Sequence, residues 1–135
     1  MSDARIEAPG ASGLGAVSSV LVRLHKEQFG RGPTQARTDY AGRDTLVCVL
    51  ENALLPAERA MVEVGDHQRV RAQRVFMQAA TGHLFIDAVE ELSGRKVRAF
   101  SSAVDPAAEV VFEVFALEPE DRLGGRDGHK PIASA

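Results

Sequence analysis

The chain has 135 residues, of which 44% are hydrophobic, and its formal net charge at pH 7 is -3. This length and apolar content suit one domain with its own core, whereas two domains would each be too small to be stable. The sequence contains no apolar run of the ~20 residues that a membrane-crossing helix requires. It also shows no N-terminal targeting signal, so we expect a cytoplasmic protein with no membrane insertion.

The charges are distributed unevenly along the sequence. Between residues 19 and 43 the basic side chains outnumber the acidic ones, whereas every charged residue from Asp105 to Asp121 is acidic. We therefore expect one end of the domain to attract anions and another to repel them. The single cysteine, Cys48, lies in an apolar run, which predicts a small core residue rather than a reactive group.

The two ends of the chain differ in composition from its middle. Residues 1–13 are mostly small, polar, Pro or Gly, and residues 118–135 show no apolar period. We expect a flexible N-terminal lead-in over 1–13 and a disordered C-terminal tail over 118–135. The region 14–117 is predicted to form a single α+β domain.

The first half of this region predicts a helix followed by a hairpin. Apolar residues recur at three- and four-residue steps from Leu14 to Leu24, which favours an amphipathic helix that ends at Gly30. Residues 35–40 and 45–50 are compatible with strands and flank the turn-rich segment 41–44. The second of these strands is predicted to be buried.

Two helices follow the hairpin. Pro56 suits the first position of a short helix that ends before Gly65 and turns Ala60, Met61 and Val64 inward.

The second helix is longer and is predicted to lie at the centre of the core. Asp66 offers an N-cap oxygen, and the apolar period continues to Gly94. Phe76 and Ile86 lie beside the main apolar stripe, so either a second subunit covers them or the buried stripe is wide.

The last segments, 96–104 and 110–117, flank Asp105-Pro106 and predict a second hairpin. Residues 110–117 are apolar on both faces, which is typical of a central or interface strand. The order α-β-β-α-α-β-β therefore predicts an α+β fold, in which two hairpins form an antiparallel sheet with helices packed on one face. A Gly-Arg pair after both long helices suggests a duplicated helix-hairpin unit, although helix-capping chemistry alone also produces such pairs.

The junction between the first helix and the first strand concentrates candidate binding groups. Its glycines permit a tight turn, its arginines offer forked donors for an oxyanion, and a hydroxyl lies between them. The nearby histidine could donate to an anion or act as a pH-sensitive group, the alternative being a role in helix packing. The predicted ligand- or partner-binding residues are Gly30, Arg31, Gly32, Thr34, Arg37 and His25. The alternative is a plain connecting turn with solvated arginines.

Other kinds of site lack support in the sequence. No Gly-Lys-Ser/Thr follows a strand and the glycines follow a helix, which excludes the usual phosphate-binding and dinucleotide motifs. The four histidines share no metal-ligand spacing with one another or with the cysteine. We therefore predict no catalytic residue, cofactor or metal. Two alternatives remain. One is an enzyme whose residues converge from distant segments. The other is a nucleic-acid-binding module that uses the basic end of the first helix, which is less favoured because one Tyr and no Trp offer few rings for base stacking.

Four short blocks carry a family resemblance. In order, they are Leu24-His25-Lys26-Glu27, Gly30-Arg31-Gly32-Pro33, Leu54-Leu55-Pro56-Ala57-Glu58 and Glu91-Leu92-Ser93-Gly94-Arg95-Lys96-Val97. With them the chain resembles the bacterial MpsC-like family over roughly residues 13–118. The chain departs from the family pattern at Leu55, where family members usually carry a Thr that completes a capping box.

The resemblance implies an accessory role in a sodium-translocating, membrane-potential-generating system that is connected with the supply of inorganic carbon. We expect a non-enzymatic binding or regulatory module and a homodimer. Its expected partners are a membrane transport protein and a small anion.

Overall fold

The computed structural model describes residues 13–120. The predicted lead-in and tail therefore lie mostly outside the described residues, at positions 1–12 and 121–135. The observed elements are α1 (Leu14–Phe29), β1 (Gln35–Tyr40), β2 (Thr45–Glu51), α2 (Pro56–Glu63), α3 (His67–Ser93), β3 (Val97–Asp105) and β4 (Val110–Leu117).

The four strands form one antiparallel sheet in the order β1-β2-β4-β3. The two hairpins meet where β2 pairs with β4, so these two strands are central and β1 and β3 are the edges. This arrangement confirms the predicted α+β fold and the central position of residues 110–117.

The core lies between one face of the sheet and the helices α1 and α3. The side chains that form it alternate along β2 and β4 and recur on one face of each helix, as burial of a single face requires. Its buried members include Val17, Leu21, Leu24, Leu46, Leu50, Phe85, Val89, Val111, Phe115 and Leu117.

The helix ends agree with the predictions. Gly30 has a φ of 88° and donates its N–H to the Lys26 carbonyl (2.8 Å), which closes α1 in the left-handed conformation that glycine adopts readily. Asp66 caps α3, since its Oδ1 accepts a hydrogen bond from the Arg69 N–H (3.2 Å). Gly94, with a φ of 71°, ends α3 in the same way that Gly30 ends α1.

The short helix α2 differs from the prediction in the residue that it buries. Val64 is 80% exposed, whereas Glu58 is 1% exposed. The Glu58 side chain turns back and accepts a hydrogen bond from the Leu55 N–H (2.8 Å), which is one half of a capping box. A leucine has no oxygen for the other half of the box. The carboxylate is held inward by this contact together with the buried Arg74 guanidinium, which donates to both of its oxygens.

The long helix α3 is only partly covered by the sheet. Towards its N-terminal half Val75 and Phe76 are 62% and 71% exposed, whereas Phe85 and Val89 are buried. Gly82 lies against β3, where an added Cβ would be 3.4 Å from the Phe100 ring. The missing side chain therefore allows α3 to approach the edge strand closely.

Candidate ligand-binding site

A row of polar residues crosses the helix-covered face of the sheet. The strand register places Thr38, Cys48, Glu113 and Ser102 next to one another, one from each strand. The first three are buried and Ser102 is half-buried. Because a buried polar group is unfavourable without a hydrogen-bond partner, the partners of this row define its chemistry.

Both long helices supply such partners. On α1, Ser18 Oγ lies 2.8 Å from Thr38 Oγ1, and His25 Nε2 lies 2.7 Å from Glu113 Oε2. On α3, Gln78 Oε1 accepts a hydrogen bond from the Ser102 N–H (2.5 Å). The polar row therefore fixes where each helix lies on the sheet.

Glu113 has only half of its hydrogen-bonding capacity satisfied. It is 2% exposed, and while Oε2 contacts His25, Oε1 has no hydrogen-bond partner among the described residues. Leaving a buried acceptor unsatisfied costs about 1–3 kcal/mol, and more when the group is charged. This oxygen is the least satisfied carboxylate atom in the described core, and it marks a place where a further group would be stabilised.

A small cavity lies beside this carboxylate, between α1, α3 and the β3–β4 hairpin. Its volume is about 20 Å³, and His25, Phe29, Gln78, Phe100 and Glu113 are among its lining residues. A cavity of this size has room for about one water-sized occupant. The unsatisfied carboxylate and the cavity together form the candidate site, which we call the Glu113 pocket.

Aromatic rings hold the imidazole of His25 in place. Its ring stacks on Phe29 at a centroid distance of 5.5 Å and meets the edge of Phe85 at 5.3 Å. Phe85 in turn stacks on Phe100, and Phe100 on Phe115. Because these rings leave the imidazole little freedom, Nε2 is directed at Glu113 rather than at solvent.

A buried ion pair closes the other side of the pocket. Arg74 Nε donates to Glu58 Oε2 (2.8 Å), and its terminal nitrogen donates to Glu58 Oε1 (2.6 Å) and to the Ala53 carbonyl (2.8 Å). The guanidinium also lies 4.3 Å from the centre of the Phe29 ring, a cation–π contact. Phe29 thus contacts both His25 and Arg74, and α2 and α3 are joined next to the pocket.

The buried thiol in the polar row is only weakly acidic. Burial raises the pKa of Cys48 to about 12, and the charge of Glu113 acts in the same direction, while the hydrogen bond with Thr38 lowers the pKa. Since the thiolate is the reactive form, this cysteine is a poor nucleophile near neutral pH. The sequence-based interpretation of Cys48 as a core residue agrees with its 0% exposure.

The residues predicted for the Gly-Arg-Gly-Pro junction do not all lie together. Arg31 is exposed in the α1–β1 connection, and the exposed Arg37 pairs with Asp39 (Nε–Oδ2, 3.2 Å). Thr34 accepts a hydrogen bond from the Asn52 side chain (2.7 Å), which ties the loop to the end of β2. An added Cβ at Gly32 would lie 3.4 Å from the Lys26 and Val22 side chains, so this glycine lets the loop pack on α1.

His25 is the member of that set that the structure removes from the loop surface. It is 4% exposed and contacts Glu113, so it belongs to the Glu113 pocket. These contacts agree with the alternative interpretation of His25, a role in helix packing. An anion site formed by the remaining junction residues stays a prediction.

The sequence interpretation missed Glu113 and Arg74, although the pattern contained a signal for each. Glu113 lies two residues from both Val111 and Phe115, so strand alternation places it on their buried face. Arg74 follows the buried Val70 by four residues, which places it on the same helix face. A charged residue that shares the strand or helix period of buried apolar neighbours therefore indicates a buried polar site.

The fold and the pocket together define a small α+β protein with helices on one face of an antiparallel sheet and a polar pocket inside its core. A family model described as "Na+-translocating membrane potential-generating system (MpsC)" matches residues 15–119. The chain belongs to this family. No curated protein and no solved structure matches it. Within residues 13–120, no helix combines the length and apolar character needed to cross a bilayer.

Cys48 provides a test of the buried row. Its folded-state pKa lies above the ordinary value of 9.0, so the protonated thiol stabilises the fold below about pH 9 and this contribution is lost as the pH rises towards 12. We expect native protein at pH 8 to resist iodoacetamide and the urea-unfolded chain to react. Between pH 9 and 11 the stability should fall more steeply than in a Cys48→Ala variant, by up to ~1.4 kcal/mol per pH unit. Rapid labelling of the native thiol at pH 8 would contradict this placement.

The Arg74–Glu58 pair is expected to matter far more than a surface pair. Glu58→Ala leaves a buried guanidinium without its carboxylate, and we expect a loss of about 3–5 kcal/mol in the free energy of unfolding, measured by urea denaturation. The matched control is Glu27→Ala, which removes the exposed partner of Arg23 (3.5 Å). That change should cost less than about 1 kcal/mol. Equal losses in the two variants would show that Glu58 is not buried as described.

Proposed function

We propose that this chain is a non-enzymatic regulatory module that acts on the cytoplasmic side of a Na+-translocating membrane system. Membership in the MpsC family supports the link to such a system. In this proposal the chain contacts a membrane transport protein and alters its activity when the Glu113 pocket is occupied.

The observation that carries the binding role is the unsatisfied Oε1 of Glu113 beside a cavity. A buried carboxylate in the middle of a central strand lowers stability unless something pairs with both of its oxygens. A protein under selection for stability alone would place an apolar residue there. The pocket is therefore best explained as a site that an additional group occupies.

The contacts around the pocket favour binding over catalysis. The Ser18 hydroxyl is engaged with Thr38, and burial holds the pKa of Cys48 at about 12. Neither residue is then available as a nucleophile for the His25–Glu113 pair. We therefore assign the His25–Glu113 pair a role in binding a ligand.

The exposed end of the α1–β1 junction is the proposed contact for an anion or for the membrane partner. Arg31 lies in this exposed connection, and Arg37 is exposed beside Asp39 at the edge strand. An ion pair on the surface is weak and readily exchanged, so Arg37 can release Asp39 for a stronger acidic group. The pocket and the junction are joined by α1, which contributes His25 to one and ends at the other.

A complementation experiment tests this function. In a strain that lacks the chain, the Na+-dependent membrane potential, measured with a potential-sensitive dye, should fall and return with the wild-type chain. Glu113→Gln and the double variant Arg31→Ala/Arg37→Ala should restore it poorly, while a control at an exposed carboxylate on α2, Glu63→Gln, restores it fully. Circular dichroism and soluble yield show whether each variant is folded. An unchanged potential in the deletion strain would overturn the proposal.

We also propose that the chain forms a homodimer through the exposed face of α3. Small and aromatic side chains follow this face at helical spacing, and they are exposed on the isolated chain: Ala72, Phe76, Ala79 and Ala80. Basic residues, Arg69 and Arg71, lie towards its N-terminal end, and acidic residues, Asp87 and Glu91, lie towards its C-terminal end. A second copy packed antiparallel around the alanines would place each Phe76 on small residues and opposite charges next to each other.

The dimer predicts a concentration-dependent mass. Size-exclusion chromatography with light scattering should give twice the 14.5 kDa chain mass for the wild type. Phe76→Glu should give the single-chain mass, because it introduces a charge into the apolar centre of the pair. Val64→Glu, at an 80% exposed position outside this face, is the matched control and should remain dimeric. A monomeric wild type at all concentrations would exclude the dimer.

A further inference from the structure

We propose that the sheet face opposite the helices packs against the same face of a second copy of the chain. We call this surface the open face. Its centre is formed by the outward side chains of β2 and β4, which are Val47, Val49, Val110, Phe112, Val114 and Ala116. The open face is distinct from the exposed face of α3 and from the Glu113 pocket, and its pairing does not depend on the proposed membrane role.

The open face is apolar although no helix of residues 13–120 covers it. In β2 and β4 every second residue is buried on the helix side, and the residues between them are half-buried or exposed. These outward side chains are not part of the core that residues 13–120 form. A sheet face in contact with water normally carries polar side chains, whereas a continuous apolar patch marks a contact surface.

The strand register shows how two copies fit together. The polar row crosses the middle of the sheet on its helix side, and residues of the open face lie one position to either side of this row on every strand. A twofold axis that runs parallel to the row, midway between two facing sheets, places one side of the row over the other side in the second copy. Aligned sheets pack in this way about 10 Å apart, with their strands within about 30° of each other.

This axis makes the charges at the rim complementary. Arg37 and Asp39 are exposed and lie on either side of Thr38 on β1. The axis therefore places Arg37 of each copy over Asp39 of the other copy. Opposite charges that face each other fix the orientation of a contact, and like charges in the same places would oppose it.

The apolar side chains match under the same axis. On the central strands Val49 lies over Val47, and Phe112 lies over Val114, so the middle of the contact contains no charge. The facing residues on β3 are both small, Ala103 and Ser101. The open face is therefore complementary to itself, and the occupant that it fits is a second copy.

The size of the open face indicates a weak contact. Four strands of about seven residues cover about 20 Å by about 24 Å. Such a footprint lies at the lower end of specific interfaces. Its side chains are also partly buried already, since Phe112 is 38% exposed, whereas Phe76 on α3 is 71% exposed. We therefore expect the α3 dimer in dilute solution and the pairing of open faces at higher concentration.

Sedimentation equilibrium of the full chain tests this contact. The Phe76→Glu variant is used first, because it removes the α3 contact and leaves the open face unchanged. From about 10 μM to about 2 mM, a range suited to weak association, its average mass should rise from 14.5 kDa towards twice that value. The wild type, which has contact faces on opposite sides of the molecule, should exceed the dimer mass at the upper end.

Two further changes, each added to Phe76→Glu, locate the contact. Val114→Lys places a charge in the centre of the open face and should raise the Kd at least tenfold. Val64→Glu, at an 80% exposed position outside both faces, is the matched control and should leave the Kd unchanged.

An exchange of charges provides the test if Val114→Lys does not fold. Arg37→Asp and Asp39→Arg should each weaken the association several-fold, because each brings like charges over one another in the two copies. The double change should restore it, since opposite charges face each other again. Circular dichroism shows whether each variant is folded.

The outcomes are distinct. A Phe76→Glu chain that keeps the single-chain mass at every concentration would overturn the proposal, as would an unchanged Kd in folded Val114→Lys. If association is absent and Val114→Lys instead shifts the amide NMR signals of residues 121–135, the chain's own C-terminal segment covers the open face and the proposal is wrong. If the wild type and Phe76→Glu associate equally while Val114→Lys does not, the open face alone forms the dimer.

Discussion

The hydrogen bond between His25 and Glu113 is the contact on which the rest of the structure depends. It joins the first helix to a central strand across 88 residues of sequence, in a place where both side chains are almost completely buried. Because a buried carboxylate without a partner is strongly unfavourable, α1 is restricted to the position that brings His25 above it. The aromatic contacts of His25 then fix the end of α1 at Phe29, which in turn supports Arg74.

Buried ion pairs generally add little net stability, since the desolvation of both charges opposes their attraction. Apolar residues at the two pairs in this core would form an ordinary hydrophobic interior. What these two pairs provide is position. The Arg74 guanidinium donates in fixed directions and Nε2 of His25 lies against Glu113, so α1, α2 and α3 must satisfy these contacts together. The family blocks of the sequence fit this interpretation, because one contributes His25 and another contributes Glu58.

The sequence predicted the elements well because periodicity, caps and turns are local signals. Gly30, Asp66 and Gly94 occur where the helices begin or end, and the two hairpins pair as expected. The site was predicted poorly because polarity was taken as a sign of exposure. Glu113 and Arg74 are charged residues on buried faces, and their partners lie 88 and 16 positions away. A pattern within one helix or strand cannot show such a partner, and only the packing of α1 and α2 shows it.

The polar row has a near-mirror arrangement. Read inward from either edge of the sheet, it begins with a hydroxyl, Thr38 or Ser102, and reaches the middle at Cys48 or Glu113. The two hairpins therefore carry matching hydroxyls at the edges of the sheet and differ in the middle of the row by a thiol and a carboxylate. A cysteine at position 113 would make the row uncharged and nearly palindromic. One side chain therefore decides whether this row carries an ionisable group, and the backbone pairing of the four strands does not depend on it.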